Sequence, residues 1–183
     1  MDPGRTILRG VVGPLMIGHG TQKLFGWFGG HGLRGTGGSF ENLGMRPGRR
    51  HATAAGAAET LAGALVTLGA LTPLASTLVS SVMITAIRKV HLDKGPWVTG
   101  GGYEYNLVMI AAVTALTETG PGRPSVDAAV APWLRGRGLA IASLAAAAAG
   151  SWLATEQFTE PEPQVEGQPR FERAPAEAPA AAG

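Results

Sequence analysis

Cysteine is absent from the 183-residue sequence. Without a thiol, the chain cannot form a disulfide, act through a thiolate or bind an iron–sulfur cluster through its own side chains. Any sulfur or redox chemistry therefore belongs to a cofactor, a substrate or another subunit. The histidines lack the spacing of a zinc-protease motif and have no cysteine beside them. The sequence thus predicts no metal site and no covalently bound cofactor.

Charged residues are also scarce, at 15% of the chain against about 25% in an average soluble domain. Long apolar segments take their place, which is typical of a membrane protein. The basic residues cluster at the ends of these segments, where they set the topology and meet anionic lipid headgroups. We therefore expect membrane lipids as partners of this charge and no nucleic acid.

Four apolar segments are long enough to cross the hydrocarbon core of a bilayer, which takes about 20 helical residues. We predict membrane-spanning helices over residues 6–28, 52–70, 74–91 and 103–119. Pro73 ends the second segment and opens the third, so these two helices form an antiparallel hairpin. A fifth segment, 138–154, is rich in alanine and is predicted as a further span or as an interfacial helix.

The sequence therefore predicts an all-α fold, a polytopic transmembrane helix bundle with four core helices and a fifth C-terminal apolar helix. Residues 1–137 form the four-helix bundle, and 138–156 form the additional transmembrane or interfacial helix. Residues 157–183 are rich in proline, glutamate and alanine and contain few large apolar residues. We predict that this acidic tail is disordered, because it cannot bury enough apolar surface to offset the entropy of ordering.

Glu59, near the middle of the second predicted helix, is the strongest indication of a polar site. A carboxylate in hydrocarbon costs about 2.5–3.5 kcal/mol, so it needs a partner or a polar cavity. Gly56 and Gly63 lie close to it on the helix and allow another backbone to approach. We expect Glu59 in a helix–helix contact, either as a structural ion pair or hydrogen-bonded group, or as a residue that accepts a proton or binds a headgroup.

Further polar residues in or beside the apolar segments are candidates for the same buried site: His19, Lys23, Arg88, Glu104 and Asn106. His19 and Lys23 share one face of the first helix, since they lie four residues apart. Lys23 either extends to the membrane interface or turns inward to meet a carboxylate. Arg88 either anchors the third helix at the interface or binds an anionic or carbonyl-bearing ligand. Glu104 and Asn106 open the fourth helix, where the helix dipole favours the carboxylate.

Residues 18–26 of the first predicted helix read GHGTQKLFG, and residues 37–40 of the loop after it read GGSF. These two segments resemble the first-helix signature of the DoxX family of bacterial membrane proteins and its continuation into the first loop. Glu59 with Leu65 and Gly69, GGYEYN at 101–106 and the segment 119–127 extend it, so that the resemblance covers about residues 6–130.

The resemblance implies a four-helix bundle in the bacterial inner membrane and an association with redox or sulfur metabolism. Some relatives are named as subunits of a thiosulfate:quinone oxidoreductase. Others are linked to a membrane complex with a superoxide dismutase and a sulfurtransferase. The fifth segment and the acidic tail depart from the four-helix pattern.

Three functional hypotheses follow. In the first, the chain is a non-catalytic membrane subunit that scaffolds or couples a redox or oxidative-stress complex through protein partners. In the second, it is a subunit of a membrane oxidoreductase that binds a quinone, a lipid or a small anion inside the bundle. The third is a small proton-coupled transporter, which needs a water path to Glu59 and for which the sequence offers no inverted repeat.

Overall fold

The computed structural model describes residues 2–161, and the regular structure in this part of the chain is helical. Short 3₁₀ or π-helical turns occupy several connections, including Ile87–His91 and Leu153–Gln157. The α-helices of these residues, in chain order, are α1 (Pro3–Phe25), α2 (Gly32–Asn42), α3 (Gly48–Leu68), α4 (Thr72–Ala86), α5 (Glu104–Thr119), α6 (Val126–Val130) and α7 (Arg137–Trp152).

Four long helices, α1, α3, α4 and α5, form a bundle in which consecutive members run antiparallel. Helix α7 packs along α4 and α5, and α2 lies against α3 and α1. Apolar side chains from all four bundle helices fill the centre: Val12, Met16, Ala62, Val66, Ala75, Val79, Met83, Met109, Val113 and Leu116. The bundle has two ends, which we call the Asp127 end and the His91 end after a residue located at each.

Glycine contacts bring α1 and α3 together at two levels. A Cβ atom added to Gly63 would lie 2.5 Å from the carbonyl oxygen of Gly13, and one added to Gly20 would lie 2.6 Å from that of Gly56. Both contacts involve backbone atoms, which cannot move aside as a flexible side chain can. Close approach of α1 and α3 therefore depends on glycine at both levels.

Asp127 closes one end of the bundle. Its buried carboxylate accepts hydrogen bonds from the backbone N–H groups of Leu71 and Thr72, both at 2.8 Å, and from the Thr72 hydroxyl at 2.6 Å. It thus satisfies the free N–H groups at the start of α4. Buried Arg9 joins α1 to the same end through the carbonyl oxygens of Pro121 and Pro124.

Asp2 ties the start of α1 to the segment after α5. Its carboxylate accepts a hydrogen bond from the Arg123 N–H at 2.9 Å and one from the Arg5 guanidinium at 2.6 Å. These two contacts, the first foremost, hold the pKa of Asp2 below its usual value. The N-terminus of α1 is thereby fixed at the Asp127 end.

Arg88 joins α4 to the last turns of α7 at the other end. Its guanidinium donates to Ser151, Thr155 and Glu156 at 3.1–3.3 Å. The chain then continues to Glu160, whose N–H donates to the carbonyl oxygen of Arg46 at 2.8 Å. The end of α7 is therefore held across the His91 end, beside the start of α3.

The predicted helices correspond to α1, α3, α4, α5 and α7, with ends that differ by a few residues. The predicted hairpin of α3 and α4 is present, with Leu71 in the left-handed conformation at φ 45° between them. Helix α2 was not predicted, since residues 29–50 read as a glycine-rich connection. Helix α7 begins beside the predicted boundary at residue 137. From residue 162 onward, the predicted acidic tail lies outside the described residues.

By length and composition, one helical stretch of the described residues, Arg137–Gln157, is apolar enough to cross a membrane. Helices α1 and α3 are 23 and 21 residues long but contain many glycines and several charged or polar residues. Helices α4 and α5 have only 15 and 16 residues. The fold is thus all-α as predicted, whereas the predicted polytopic character is met by composition only at α7.

Candidate functional site

Lys23 and Glu59 form an ion pair inside the bundle. Lys23 Nζ lies 2.9 Å from Glu59 Oε1 and 2.7 Å from Oε2. The Glu59 side chain is 3% exposed and that of Lys23 is 23% exposed. Of the two conformations predicted for Lys23, the structure has the one that turns inward to a carboxylate. Because Glu59 is buried, little water screens the attraction between the two charges.

The glycine contacts between α1 and α3 position this pair. Gly20 lies three residues before Lys23, and Gly56 lies three residues before Glu59, at the level where the two backbones touch. A helical side chain leans toward the N-terminus of its helix. Because α1 and α3 are antiparallel, the Lys23 and Glu59 side chains lean in opposite directions and meet between the two helices. The predicted location of Glu59 in a helix–helix contact is therefore the one observed.

A cavity of about 530 Å³ adjoins the ion pair and extends toward the His91 end. It lies between α1, α3, α4 and α5, and residues of α2, of the loop after α4 and of the π-helical turn after α7 complete its lining. The volume is in the range of sites for small molecules and cofactors. Most of its wall is apolar and includes Phe40, Leu43, Met45, Val82, Val90 and Val98.

His19 and Asn106, two further predicted site residues, also line this cavity. The His19 ring lies 6.3 Å from the ring of Tyr105, measured between centroids. Asn106 is buried and donates through Nδ2 to Met83 Sδ at 3.4 Å. Four of the six predicted residues thus meet at one cavity: His19, Lys23, Glu59 and Asn106.

Arg88 and Glu104 lie elsewhere. Arg88 is engaged by α7, as described above, so it neither faces the cavity nor extends freely to an interface. Glu104 accepts the Val98 N–H at 2.6 Å and thereby stabilises the turn before α5. Glu104 therefore has a structural contact and no place in the cavity wall.

Sequence reasoning missed His51, in the first turn of α3. Its side chain lines the cavity, the residue is 6% exposed, and Nε2 has no hydrogen-bond partner among the described residues. Leaving a buried polar atom without a partner costs about 1–3 kcal/mol. The available signal was a histidine directly after a basic cluster, a position easily attributed to topology-setting charge.

The cavity can hold a ligand that is largely apolar and carries a hydrogen-bond acceptor. Lysine has three N–H donors; two are directed to Glu59, and the third has only a long contact of 3.5 Å with the His19 carbonyl oxygen. Lys23 therefore has a donor left for a ligand oxygen.

No group of three histidine, aspartate or glutamate side chains that could hold a metal ion occurs in residues 2–161.

Residues 4–92 match the family model of DoxX. The matched segment runs from α1 to the π-helical turn after α4 and includes both members of the ion pair. It ends before Asn106, so the resemblances noted at 101–106 and 119–127 lie outside it. No curated protein and no solved structure is significantly similar to the chain. Through residues 4–92 the chain belongs to the DoxX family, whose members are membrane-associated proteins.

Proposed function

We propose that this chain is a multi-pass membrane subunit of oxidoreductase type that binds a quinone-like molecule in the cavity beside Lys23 and Glu59. The observation that carries the proposal is a largely apolar cavity of about 530 Å³ with a buried ion pair in its wall. A tightly packed contact at Glu59 would instead have favoured the scaffold hypothesis. Family membership supports the membrane location.

The distribution of polar side chains supports several membrane spans. Ile7, Val11 and Leu15 are exposed along one face of α1, at intervals of four residues. The interior holds polar side chains on α5 and α7 that are hydrogen-bonded within the protein: Asn106, Thr117, Ser143 and Ser151. Apolar side chains outside and hydroxyl groups inside suit a bundle surrounded by lipid, where polar groups must find partners within the protein.

The residues present fit a quinone. Lys23 would donate its remaining N–H to a carbonyl oxygen and hold the ring at the end of the cavity next to α1. Glu59, paired with the same ammonium group, would accept or release a proton there. A bound quinone would supply the capacity to accept electrons and protons. The apolar wall would exclude water and hold the hydrophobic part of the molecule.

Binding of a decyl-substituted benzoquinone to the full-length protein in lipid nanodiscs tests this proposal. We expect saturable binding to the wild-type protein. Lys23→Met should weaken it roughly tenfold or more, because it removes a charge-assisted hydrogen bond. Lys94→Met is the matched control, since Lys94 is exposed and outside the cavity wall.

Failure of the wild-type protein to bind would refute the proposal, as would equal binding by the wild type and Lys23→Met. The first result would leave the scaffold hypothesis as the better account of the fold. Recovery of partner proteins with the chain from gently solubilised membranes would then support that account, while recovery of the chain alone would count against it.

A further inference from the structure

A second cavity, of about 210 Å³, lies at the Asp127 end of the bundle, and the residues that line it differ from those around the cavity beside Lys23. Its lining is about equally polar and apolar, whereas the lining of the larger cavity is mostly apolar. Three arginines and two aspartates line it: Arg5, Arg123, Arg135, Asp2 and Asp127. The two cavities therefore suit different kinds of ligand.

Both carboxylates of this lining already have hydrogen-bond donors from the protein. Asp127 accepts its hydrogen bonds from the start of α4, as described above. Asp2 accepts one from the Arg123 N–H and one from the Arg5 guanidinium. With three arginines against two aspartates, the lining has a formal charge of +1. This balance favours an anionic ligand over a cation.

The guanidinium groups of Arg5 and Arg135 come together at Gly120. Arg5 Nη1 lies 2.9 Å from the Thr119 carbonyl oxygen and 3.4 Å from that of Gly120. A Cβ atom added to Gly120 would lie 3.0 Å from Arg135 Cδ and 3.7 Å from Arg135 Nη1. Two like charges repel each other, and an anion that contacts both would offset that repulsion. The arrangement therefore favours an anion at this glycine.

Both arginines have N–H donors left for such an anion. Arg5 Nε makes no hydrogen bond within residues 2–161 and, unlike Arg9 Nε, it is accessible to solvent. Arg135 is exposed, and its guanidinium has no hydrogen bond or ion pair within the same residues. A guanidinium group presents its donors in a planar set that matches the oxygens of a phosphate.

Exposed apolar side chains lie on the segment of chain that forms one wall of this cavity. Trp133 is 70% exposed, Val130 67% and Val126 43%. The same segment contributes Pro132 and Leu134 to the lining. An exposed tryptophan at the end of a membrane bundle is typical of the level of the lipid headgroups. A ligand with an anionic group for the cavity and an apolar part for the bilayer fits this position.

We propose that this cavity binds the phosphate group of an anionic phospholipid, and that Arg5 and Arg135 donate the hydrogen bonds to it. The phosphate diester of phosphatidylglycerol carries a single negative charge, which balances the formal charge of the lining. The inference shares with the proposed function the location of the bundle in a membrane. It does not depend on quinone binding, which concerns the other cavity.

Phosphatidylglycerol with a fluorescent acyl chain tests this inference by equilibrium binding to the full-length protein in neutral detergent micelles. We expect saturable binding that Arg135→Gln weakens roughly tenfold, the scale of one charge-assisted hydrogen bond. Arg135→Lys should keep part of the binding, because it retains the charge without the planar set of donors. Arg137→Gln is the matched control, since the Arg137 side chain is 84% exposed and lies outside the lining.

Equal binding by the wild type and Arg135→Gln would overturn the inference. An equal loss in Arg135→Gln and Arg137→Gln would overturn it as well, because surface charge alone would then account for binding. Should Arg135→Gln not fold, the wild type decides: phosphatidylcholine with the same label has no net charge and should bind much more weakly. Equal binding of the two lipids would refute an anion site.

Inorganic phosphate distinguishes a lipid headgroup from soluble phosphate as the ligand. We expect it to displace labelled phosphatidylglycerol no more than chloride does at the same ionic strength, since the acyl chains and Trp133 add to the binding of the lipid. Displacement by phosphate and not by chloride would refute the lipid as ligand. Failure of the quinone to bind would refute the proposed function and leave these results unaffected.

Discussion

Glu59 shows what the sequence can predict at the scale of single residues. A carboxylate in an apolar helix requires a partner, and Lys23 was a candidate within the first helix; the structure joins the two at 2.7 Å. The conformation of Lys23 was left open, because a lysine near a helix end can equally extend to an interface. The Gly20–Gly56 contact, which depends on how two helices cross, decides it.

Other residues of the site depended on contacts that are distant in sequence. Arg88 is bound by side chains of α7 and of its π-helical extension, more than 60 positions away. Glu104 binds an N–H group whose position is set by the turn before α5. Neither contact leaves a pattern in a single sequence. His51 was missed for a related reason, since it lies at the start of α3, where α2 packs against that helix.

The ion pair predicts non-additive effects on stability. Lys23→Met leaves the Glu59 carboxylate unpaired at 3% exposure, and loss of one member of a buried pair costs about 3–5 kcal/mol. We expect a value at the lower end, because Lys23 is 23% exposed. The double variant with Glu59→Gln removes both charges and should be more stable than Lys23→Met alone. Denaturation in mixed micelles measures both, and additive losses would argue against the pair.

At the scale of helices, the lengths of the apolar segments predicted all of the long helices but did not predict α2. Helix α2 contains four glycines in 11 residues, a composition that opposes helix formation. Its packing against α3 compensates: buried Gly37 lies beside Gly48, and Glu41 accepts the Gly48 N–H at 3.1 Å. Intrinsic propensity therefore indicated a loop, and tertiary contacts made a helix.

Gly63→Ala should separate α1 from α3. The new Cβ would lie 2.5 Å from the Gly13 carbonyl oxygen and 2.7 Å from the Ile17 nitrogen, both backbone atoms. We expect a loss of about 1–3 kcal/mol in the free energy of unfolding, the usual cost of overpacking. We also expect weaker quinone binding, since the same helices position Lys23 and Glu59.

Gly10→Ala is the control for this change. Gly10 lies in α1 with no atom within 4 Å of the added Cβ, so alanine there should leave stability unchanged or raise it by up to about 1 kcal/mol. Measurement of the two variants in the same mixed micelles separates packing from helix propensity. If Gly63→Ala were as stable as Gly10→Ala, the glycine contacts would not determine the spacing of the helices.

At the scale of the whole molecule, the all-α fold and the order of the long helices followed from hydropathy alone. The ranking of the segments by apolar character did not follow from it. Residues 138–154 were predicted either as a span or as an interfacial helix, because alanine is only mildly apolar. Yet α7 with its π-helical extension has no charged residue between Arg137 and Glu156, and it reaches 21 residues. The bundle helices either are shorter or carry the charges that build the site.

The proposed topology can be tested directly because the chain has no cysteine, so each introduced cysteine is the only thiol. Leu71→Cys and Arg123→Cys place it at exposed positions of the Asp127 end, and Asn42→Cys and Lys94→Cys at the His91 end. With several spans, a membrane-impermeant maleimide should label one pair in intact cells and the other only after permeabilisation. The His91 end has the basic loops around Arg46 and Arg88, so its pair should be the cytoplasmic one. Labelling of all four positions from the same side would show that the bundle does not cross the membrane.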